Sequence, residues 1–361
     1  MRHALKTQND FANYFSLTSD ELSAFARPQF KIQVTPYYAS LADKTQSQDP
    51  LRKIIVPTAR EVGTFTQQML DPLGENQNRP HPRIIHRYPD RLLFLVTDIC
   101  SVYCRYCTRK HFTAKDQAFV SNSEYTEALT YIKQNPQVKE VILSGGDPFT
   151  LSDEKILKVV ADLQQIEHVD LIRIGTRMPV VAPMRITEEL VQALKKYHPV
   201  YIMVHFNHPR EITAHAAEAL TRLVDNGFPV FNQMVLLNGV NNHPAIVKAL
   251  SRRLLKLRVK PYYMFQCDPS EGTDHLRTTI ANSLEIQKKL WGHLSGLAMP
   301  NLSLDIPGGG GKVGLVPNFA IKQQFNEHHF RGWDGIEGKY IDPPEATMQV
   351  PSDYQEYLED F

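Results

Sequence analysis

Cysteine is scarce in this chain, with four residues in 361, at positions 100, 104, 107 and 267. A disulfide-stapled scaffold needs a dispersed, even set. Here Cys100, Cys104 and Cys107 crowd into one short segment, a layout that fits a metal site in a reducing compartment. An excess of one charge is equally lacking: 40 Lys and Arg stand against 39 Asp and Glu, a net of +1, so the basic surplus of a nucleic-acid binder is excluded. No hydrophobic run approaches a membrane span, and the opening MRHALKTQNDF holds no apolar signal core. The expectation is a cytoplasmic protein. Internal repeats are absent, as are low-complexity segments apart from one glycine run. What is present, 42% hydrophobic and 22% charged residues, is the composition of a globular protein with a substantial core.

Three regions separate on pattern. Residues 1–85 form an N-terminal extension with helical pieces at Asp20–Phe25 and Ala59–Met69 between polar, proline-bearing stretches. Residues 86–312 alternate apolar runs with amphipathic helices. Residues 313–361 form an irregular tail with Pro343-Pro344 and an acidic end, Tyr354–Phe361. Seven strands are expected in the middle region: Leu92–Thr97, Glu140–Ser144, Leu171–Thr176, Val200–Phe206, Val230–Leu237, Pro261–Gln266 and Leu302–Asp305. Most read as continuous apolar runs, as strands buried on both faces do. Helices are expected at 153–166, 187–197, 211–226, 243–257 and 279–294. The first has Ser152 as N-cap and Ile156, Val159, Val160, Leu163 and Ile166 on one face. Strand alternating with helix means parallel strands and right-handed crossovers, in a doubly wound sheet or a full or partial (β/α) barrel.

Directly after the first strand stands Cys100-Ser-Val-Tyr-Cys104-Arg-Tyr-Cys107, a C-x3-C-x2-C triplet. Three thiolates on a short loop can hold three irons of a [4Fe–4S] cube and leave the fourth iron for a small molecule. Zinc with Cys267 or His111 as a fourth ligand is the alternative, but zinc loops normally pair two C-x2-C units. Later comes Asp305-Ile-Pro-Gly-Gly-Gly-Gly-Lys312. It is no phosphate-binding P-loop, because Ile306 and Val313 break that pattern. Four glycines give a side-chain-free backbone that can pass close to a bulky planar ligand, and the lysine at its end can form an imine with an aldehyde. On composition alone, a mobile surface linker is the commoner reading.

The cysteine spacing resembles the radical S-adenosylmethionine superfamily, and together with the PGGGGK run it resembles the lysine 2,3-aminomutase family. The similarity runs from about Phe15 through Phe325. It includes Thr35-Pro-Tyr-Tyr, His86-Arg-Tyr-Pro-Asp-Arg91, Thr108-Arg109, His205-Phe-Asn-His-Pro209, Asn232-Gln233 and Pro261-Tyr-Tyr. The resemblance implies an α/β fold, a partial (β/α)6 TIM-like barrel, with Cys100, Cys104 and Cys107 on the cluster. It implies Ser144, Gly145, Gly146 and Asp147 at the methionyl amino group of S-adenosylmethionine and His205 near its nucleoside. Pyridoxal phosphate would be carried by Lys312, with Arg87, Arg91 and Gln233 near its phosphate and ring. Arg109 would clamp the substrate carboxylate, and Asp268 with Asp305 would grip a distal ammonium.

The activity so implied is interconversion of free L-lysine and β-lysine. A 5′-deoxyadenosyl radical takes a hydrogen from carbon 3, and the 2-amino group shifts with help from the pyridoxal π-system. The alternatives within the family are another amino acid, such as glutamate or arginine, or a lysine pathway serving a translation factor; outside it stands a zinc-stabilised binding protein with a glycine hinge. A reductant such as flavodoxin or ferredoxin and a homo-oligomer are also implied, with no nucleic-acid or membrane partner. Two features depart from the family pattern. No cysteine follows Cys267, so a tail metal site is missing, and Phe265 stands where relatives carry tyrosine. One expectation is independent of the resemblance. Cys100–Cys107, Gly145–Asp147, Thr176–Arg177, His205, Asp268 and Lys312 all follow or end expected strands, which should gather them on one rim.

Overall fold

A computed structural model describes residues 3–26, 30–62, 68–110 and 117–343. Of the expected features, residues 63–67 of the Ala59–Met69 helix, His111, Pro344 and the acidic segment Tyr354–Phe361 fall outside these residues. Met1–Val316 form one compact unit and Pro317–Phe361 a second.

The first unit is built on a nine-stranded sheet in sequence order. Strand β1 (Ile84–Tyr88) runs antiparallel to β2 (Arg91–Thr97) across the Pro89-Asp90 turn. Parallel strands follow: β3 (Glu140–Gly145), β4 (Leu171–Thr176), β5 (Val200–Val204), β6 (Val230–Leu236), β7 (Lys260–Gln266) and β8 (Asn301–Ile306). Strand β9 (Gly311–Gly314) then turns back antiparallel on β8. The seven expected strands are therefore present and parallel. Six helices of eight or more residues connect them: Asn122–Lys133, Asp153–Gln164, Glu188–Lys195, Ala214–Asp225, Pro244–Lys256 and Ile280–Leu290, with a short helix Met178–Val181 after β4. This is the partial (β/α)6 barrel, a curled sheet edged by two antiparallel hairpins. Among the described residues no helix is long and apolar enough to cross a membrane.

Helix Asp153–Gln164 shows how the sequence makes these elements. Ser152 Oγ accepts from Lys155 N as the N-cap, and Ile156, Val159, Val160 and Leu163 are fully buried along one stripe. Each such side chain contributes roughly 1.5–3 kcal/mol on leaving water. The strands differ from expectation in one respect. Burial alternates along β4 and β6 instead of running unbroken. One face packs on the helices, while the other, carrying Arg173 on β4 and Gln233 on β6, faces the lumen of the half-barrel.

The N-terminal extension has its own task. Its helices, Gln8–Tyr14, Ser19–Ala26, Pro36–Ala39 and Pro50–Lys53, are short and mostly side-chain-capped. The residues between them reach the cysteine loop. Gln33 Nε2 donates to Cys100 O at 2.9 Å, Tyr103 N donates to Gln33 O, and Arg105 N donates to Ile54 O at 3.0 Å.

The second unit is more regular than its sequence pattern indicates. Strands β10 (Ala320–Gln324), β11 (Glu327–Arg331) and β12 (Glu337–Ile341) make an antiparallel three-stranded sheet. Arg331–Glu337 and Lys339–Glu327 ion pairs lie across it. The strands are short, polar and largely exposed, so no apolar alternation marks them.

Candidate active site

The cysteine loop leaves β2 at Thr97. Cys100, Cys104 and Cys107 are free, partly accessible thiols. Their charges interact: desolvation and then Cys107 push the Cys100 thiol up, and desolvation and then Cys104 raise Cys107. Cys100 and Cys107, thiols that resist ionisation, are stable as thiolates only beside strong positive charge, which iron supplies. Among the described residues no three His, Cys, Asp or Glu side chains gather closely enough for a single metal ion. A cube, in which each thiolate takes its own iron, needs no such convergence. Cys267 is buried, and desolvation followed by Asp268 holds its thiol up to about 12. It is a neutral core residue at the end of β7.

Arg105 lies inside the triplet yet points away from solvent, 1% exposed. It pairs with buried Glu61 through Nε (2.8 Å) and Nη2, and its Nη1 donates to Lys31 O at 2.9 Å. Removing one member of such a pair strands the other charge. Arg105→Ala is expected to cost about 3 kcal/mol and to lower iron and sulfide content per chain. A variant that reconstitutes normally and melts at the wild-type temperature would disprove this role.

Ser144, Gly145, Gly146 and Asp147 end β3 beside that loop. An added Cβ would stand 2.2 Å from Thr97 O at Gly145 and 2.2 Å from Ile99 O at Gly146. Gly146 N donates to Thr97 O and Asp147 N to Ile99 O. The glycines are thus required by the start of the cysteine loop itself, besides any room they leave for a ligand. The Asp147 carboxylate is also spoken for. It accepts from Thr176 Oγ1 (2.7 Å), Arg177 N (2.7 Å) and Phe149 N (3.0 Å). With three donors inside the protein, this carboxylate caps the ends of β3 and β4.

Arg177, following β4, is a residue whose role sequence reasoning missed. Its Nη1 lies 2.8 Å from Cys104 Sγ and its Nη2 2.7 Å from buried Glu211 and 3.0 Å from Tyr38 Oη. His205, following β5, sits beside it. Burial, then the Arg177 and Arg109 charges, hold its imidazole down to about 4, although the Gln233 backbone hydrogen-bonds it. It is neutral at working pH. Gln233 itself lies on the lumen-facing side of β6.

The glycine run forms the β8–β9 turn, and the ladder places Asp305 directly opposite Lys312. Lys312 Nζ lies 2.9 and 3.1 Å from the two Asp305 oxygens, 4.0 Å over the Phe265 ring and 5.1 Å over Tyr263. Its backbone N–H donates to Tyr88 Oη on β1 at 3.1 Å. Arg87 lies against the run: a Cβ would sit 3.0 Å from its guanidinium at Gly311 and 3.3 Å at Gly309. Arg91 opens β2, stacked 3.9 Å over Tyr88 and paired with Asp90 at 2.7 Å. Both arginines thus flank the edge where β1 meets Lys312.

Asp268 follows β7. Burial, then the Asp305 carboxylate, push its pKa up to about 7, against the Lys312 charge, and its Oδ1 is buried with no hydrogen-bond partner among the described residues. Arg109, two residues past Cys107, donates its backbone N–H to Cys107 Sγ (3.4 Å) and its Nη1 to Ser144 Oγ (3.0 Å), and it feels the Asp305 charge. Arg109 thus bonds Cys107 and Ser144 directly and lies within electrostatic range of Asp305, which pairs with Lys312 and acts on Asp268.

Residues 94–249 match the Radical SAM superfamily, and residues 287–360 match the family described as Lysine-2,3-aminomutase. The chain is 43% identical to L-lysine 2,3-aminomutase of Clostridium subterminale, over 96% of this chain and 84% of the relative. It is 44% identical to the protein of the same name in Acetoanaerobium sticklandii, over 98% and 86%. Glutamate 2,3-aminomutase of Clostridioides difficile is 42% identical, over 89% and 76%. A lumen joining three cysteines to one lysine and similarity over nearly the whole chain lead to the same place: the chain belongs to the lysine-2,3-aminomutase family of radical S-adenosylmethionine isomerases.

Proposed function

We propose that this enzyme is a lysine 2,3-aminomutase acting on free L-lysine, with pyridoxal phosphate carried by Lys312. The observation that carries the substrate assignment is the acidic pair beside that lysine. Asp305 already holds one primary ammonium, that of Lys312, and Asp268 keeps a buried oxygen without a donor among the described residues. The ε-ammonium of lysine is the same chemical group, and it would satisfy the orphan oxygen. Glutamate would bring a carboxylate to two carboxylates, a repulsive contact.

When bound, the cluster and S-adenosylmethionine supply a 5′-deoxyadenosyl radical, and pyridoxal phosphate supplies an aldehyde and a π-system that spreads an unpaired electron. The residues present fit these groups. Cys100, Cys104 and Cys107 would hold the cluster. The Ser144–Gly146 backbone and neutral His205 would border S-adenosylmethionine. Arg87, left bare by the glycines, would take the phosphate, with Arg91 behind Tyr88 and Gln233 beside the ring. Arg109, hydrogen-bonded to a cluster cysteine, would fix the substrate carboxylate and so set carbon 3 near the radical source. Phe265, under Lys312 Nζ, supplies an apolar floor without a hydroxyl.

Anaerobic assay of the reconstituted enzyme against free lysine, arginine and glutamate tests the assignment. Conversion of lysine in preference to the others is expected. Preference for glutamate would end it, and preference for arginine would keep the cation site but change the substrate.

A further inference from the structure

Arg109 is held before any substrate arrives. Glu75 Oε1 lies 2.8 Å from Arg109 Nε and 2.6 Å from Nη2, and the Glu75 side chain is 6% exposed. Ser144 Oγ, a neutral and exchangeable partner, takes Nη1. A guanidinium offers carboxylates two edges, Nε with Nη2 and Nη1 with Nη2. Glu75 closes the first.

The turn that carries Glu75 is itself fixed. The Asp71 carboxylate accepts from Glu75 N at 2.9 Å and Asn76 N at 2.8 Å, and Asn78 Nδ2 donates to Gly74 O at 2.8 Å. The same turn grips the glycine run. Gly308 N donates to Pro72 O at 3.0 Å, and Gln77 Nε2 donates to Gly308 O at 2.9 Å. A Cβ on Gly74 would stand 2.6 Å from Gly309 Cα. One short segment therefore registers Arg109 against the hairpin that bears Lys312.

We propose that Glu75 is a positioning residue: by locking the Nε/Nη2 edge of Arg109 it presents the Nη1 side, at Ser144, to the α-carboxylate of the substrate. This rests on reading Arg109 as the carboxylate ligand. The competing role is a placeholder that the substrate must displace. Burial of the Glu75 side chain, at 6% exposure, opposes displacement, and the Asp71 contacts hold the backbone that carries it. The two roles predict opposite signs, because losing a positioner weakens substrate binding and losing a placeholder strengthens it.

The test compares lysine with 1,5-diaminopentane, which is lysine without its carboxylate, in reconstituted holoenzyme. Binding is read from the absorbance change of pyridoxal phosphate, and turnover of lysine is measured separately. In Glu75→Gln, lysine affinity should fall about tenfold, the scale of one well-oriented charge-assisted hydrogen bond, and KM should rise in step. Turnover number should fall as well, because a less firmly held carboxylate no longer fixes carbon 3 near the radical source. Diaminopentane affinity should stay at the wild-type value, which also shows that the variant is folded. Equal weakening of both ligands would make Glu75 merely structural and overturn the proposal, as would unchanged or tighter lysine binding. Arg109→Gln is the control. If it fails to weaken lysine relative to diaminopentane, the carboxylate reading of Arg109 falls and takes this proposal with it. If Arg109→Gln responds and Glu75→Gln does not, only the role of Glu75 is lost.

Discussion

Lys312→Ala should abolish the borohydride-reducible pyridoxal adduct and reduce aminomutase turnover to background while iron and sulfide content stays normal. The site has a rival amine. Lys110, adjacent to Arg109, is 9% exposed, and burial lowers its pKa to about 8, the kind of desolvation that makes lysines nucleophilic. Its Nζ, however, donates to Glu271 O at 2.9 Å and sits 4.2 Å over the Phe30 ring. Lys312 Nζ instead stands over Phe265 with Asp305 Oδ2 at 2.9 Å, placed to receive the proton an ammonium must lose before it attacks an aldehyde. The backbone around Lys312 is bare, with Arg87 against it to meet a phosphate. Peptide mapping of the reduced adduct should find it on Lys312. An adduct that survives Lys312→Ala and disappears in Lys110→Ala would move the imine to the cluster loop.

Much of the barrel is legible because parallel strands and their helices carry local signals. Leu171–Thr176 is found where it is expected, and Ser152 caps its helix as expected. Helix Asn122–Lys133 escapes because its buried stripe is thin, with only Tyr125, Ala128 and Ile132. The signal that marks it is the Ser121/Glu124 capping box, present in both sequence and structure. Strands β1 and β9 are missed for a different reason. His86-Arg-Tyr-Pro-Asp-Arg91 and the glycine run read as ligand motifs, and the turn chemistry in each, Pro-Asp and Gly-Gly, is also what folds a hairpin. The apparent choice between structure and function is false at both places.

Side-chain partners over long sequence distances leave no local trace. Glu75 on Arg109, Glu61 on Arg105 and Glu211 on Arg177 join residues 34, 44 and 34 positions apart. Each arginine looks like a free cation in the sequence. In the fold each is held by a buried carboxylate, and each holds or touches the cysteine loop. Asp147 shows how a candidate ligand can also serve the fold. Its place after two glycines suggests a ligand, and its carboxylate in addition caps the end of β4 through Thr176 Oγ1 and Arg177 N.

Asp268→Asn should weaken lysine about a hundredfold at pH 8, the scale of losing one partner of a desolvated charge pair, and the penalty should shrink in acid. With a pKa raised to about 7 by burial and by Asp305, Asp268 is anionic above that pH and neutral below it. A bound ε-ammonium requires the anion, so wild-type kcat/KM for lysine must rise between pH 6 and pH 8. At about pH 6, ionising the carboxylate costs roughly a factor of ten, and the variant, which has nothing to ionise, lies only about tenfold below wild type. Taking the ratio of wild type to variant at each pH cancels the titration of the substrate and of every other enzyme group common to both. The substituted carboxamide retains the shape and one acceptor, so a changed ratio reports charge and not a cavity. A ratio that is flat from pH 6 to pH 8, or an Asp268→Asn enzyme as selective for lysine over glutamate as wild type, would place the ammonium elsewhere and leave Asp268 as a buried turn residue.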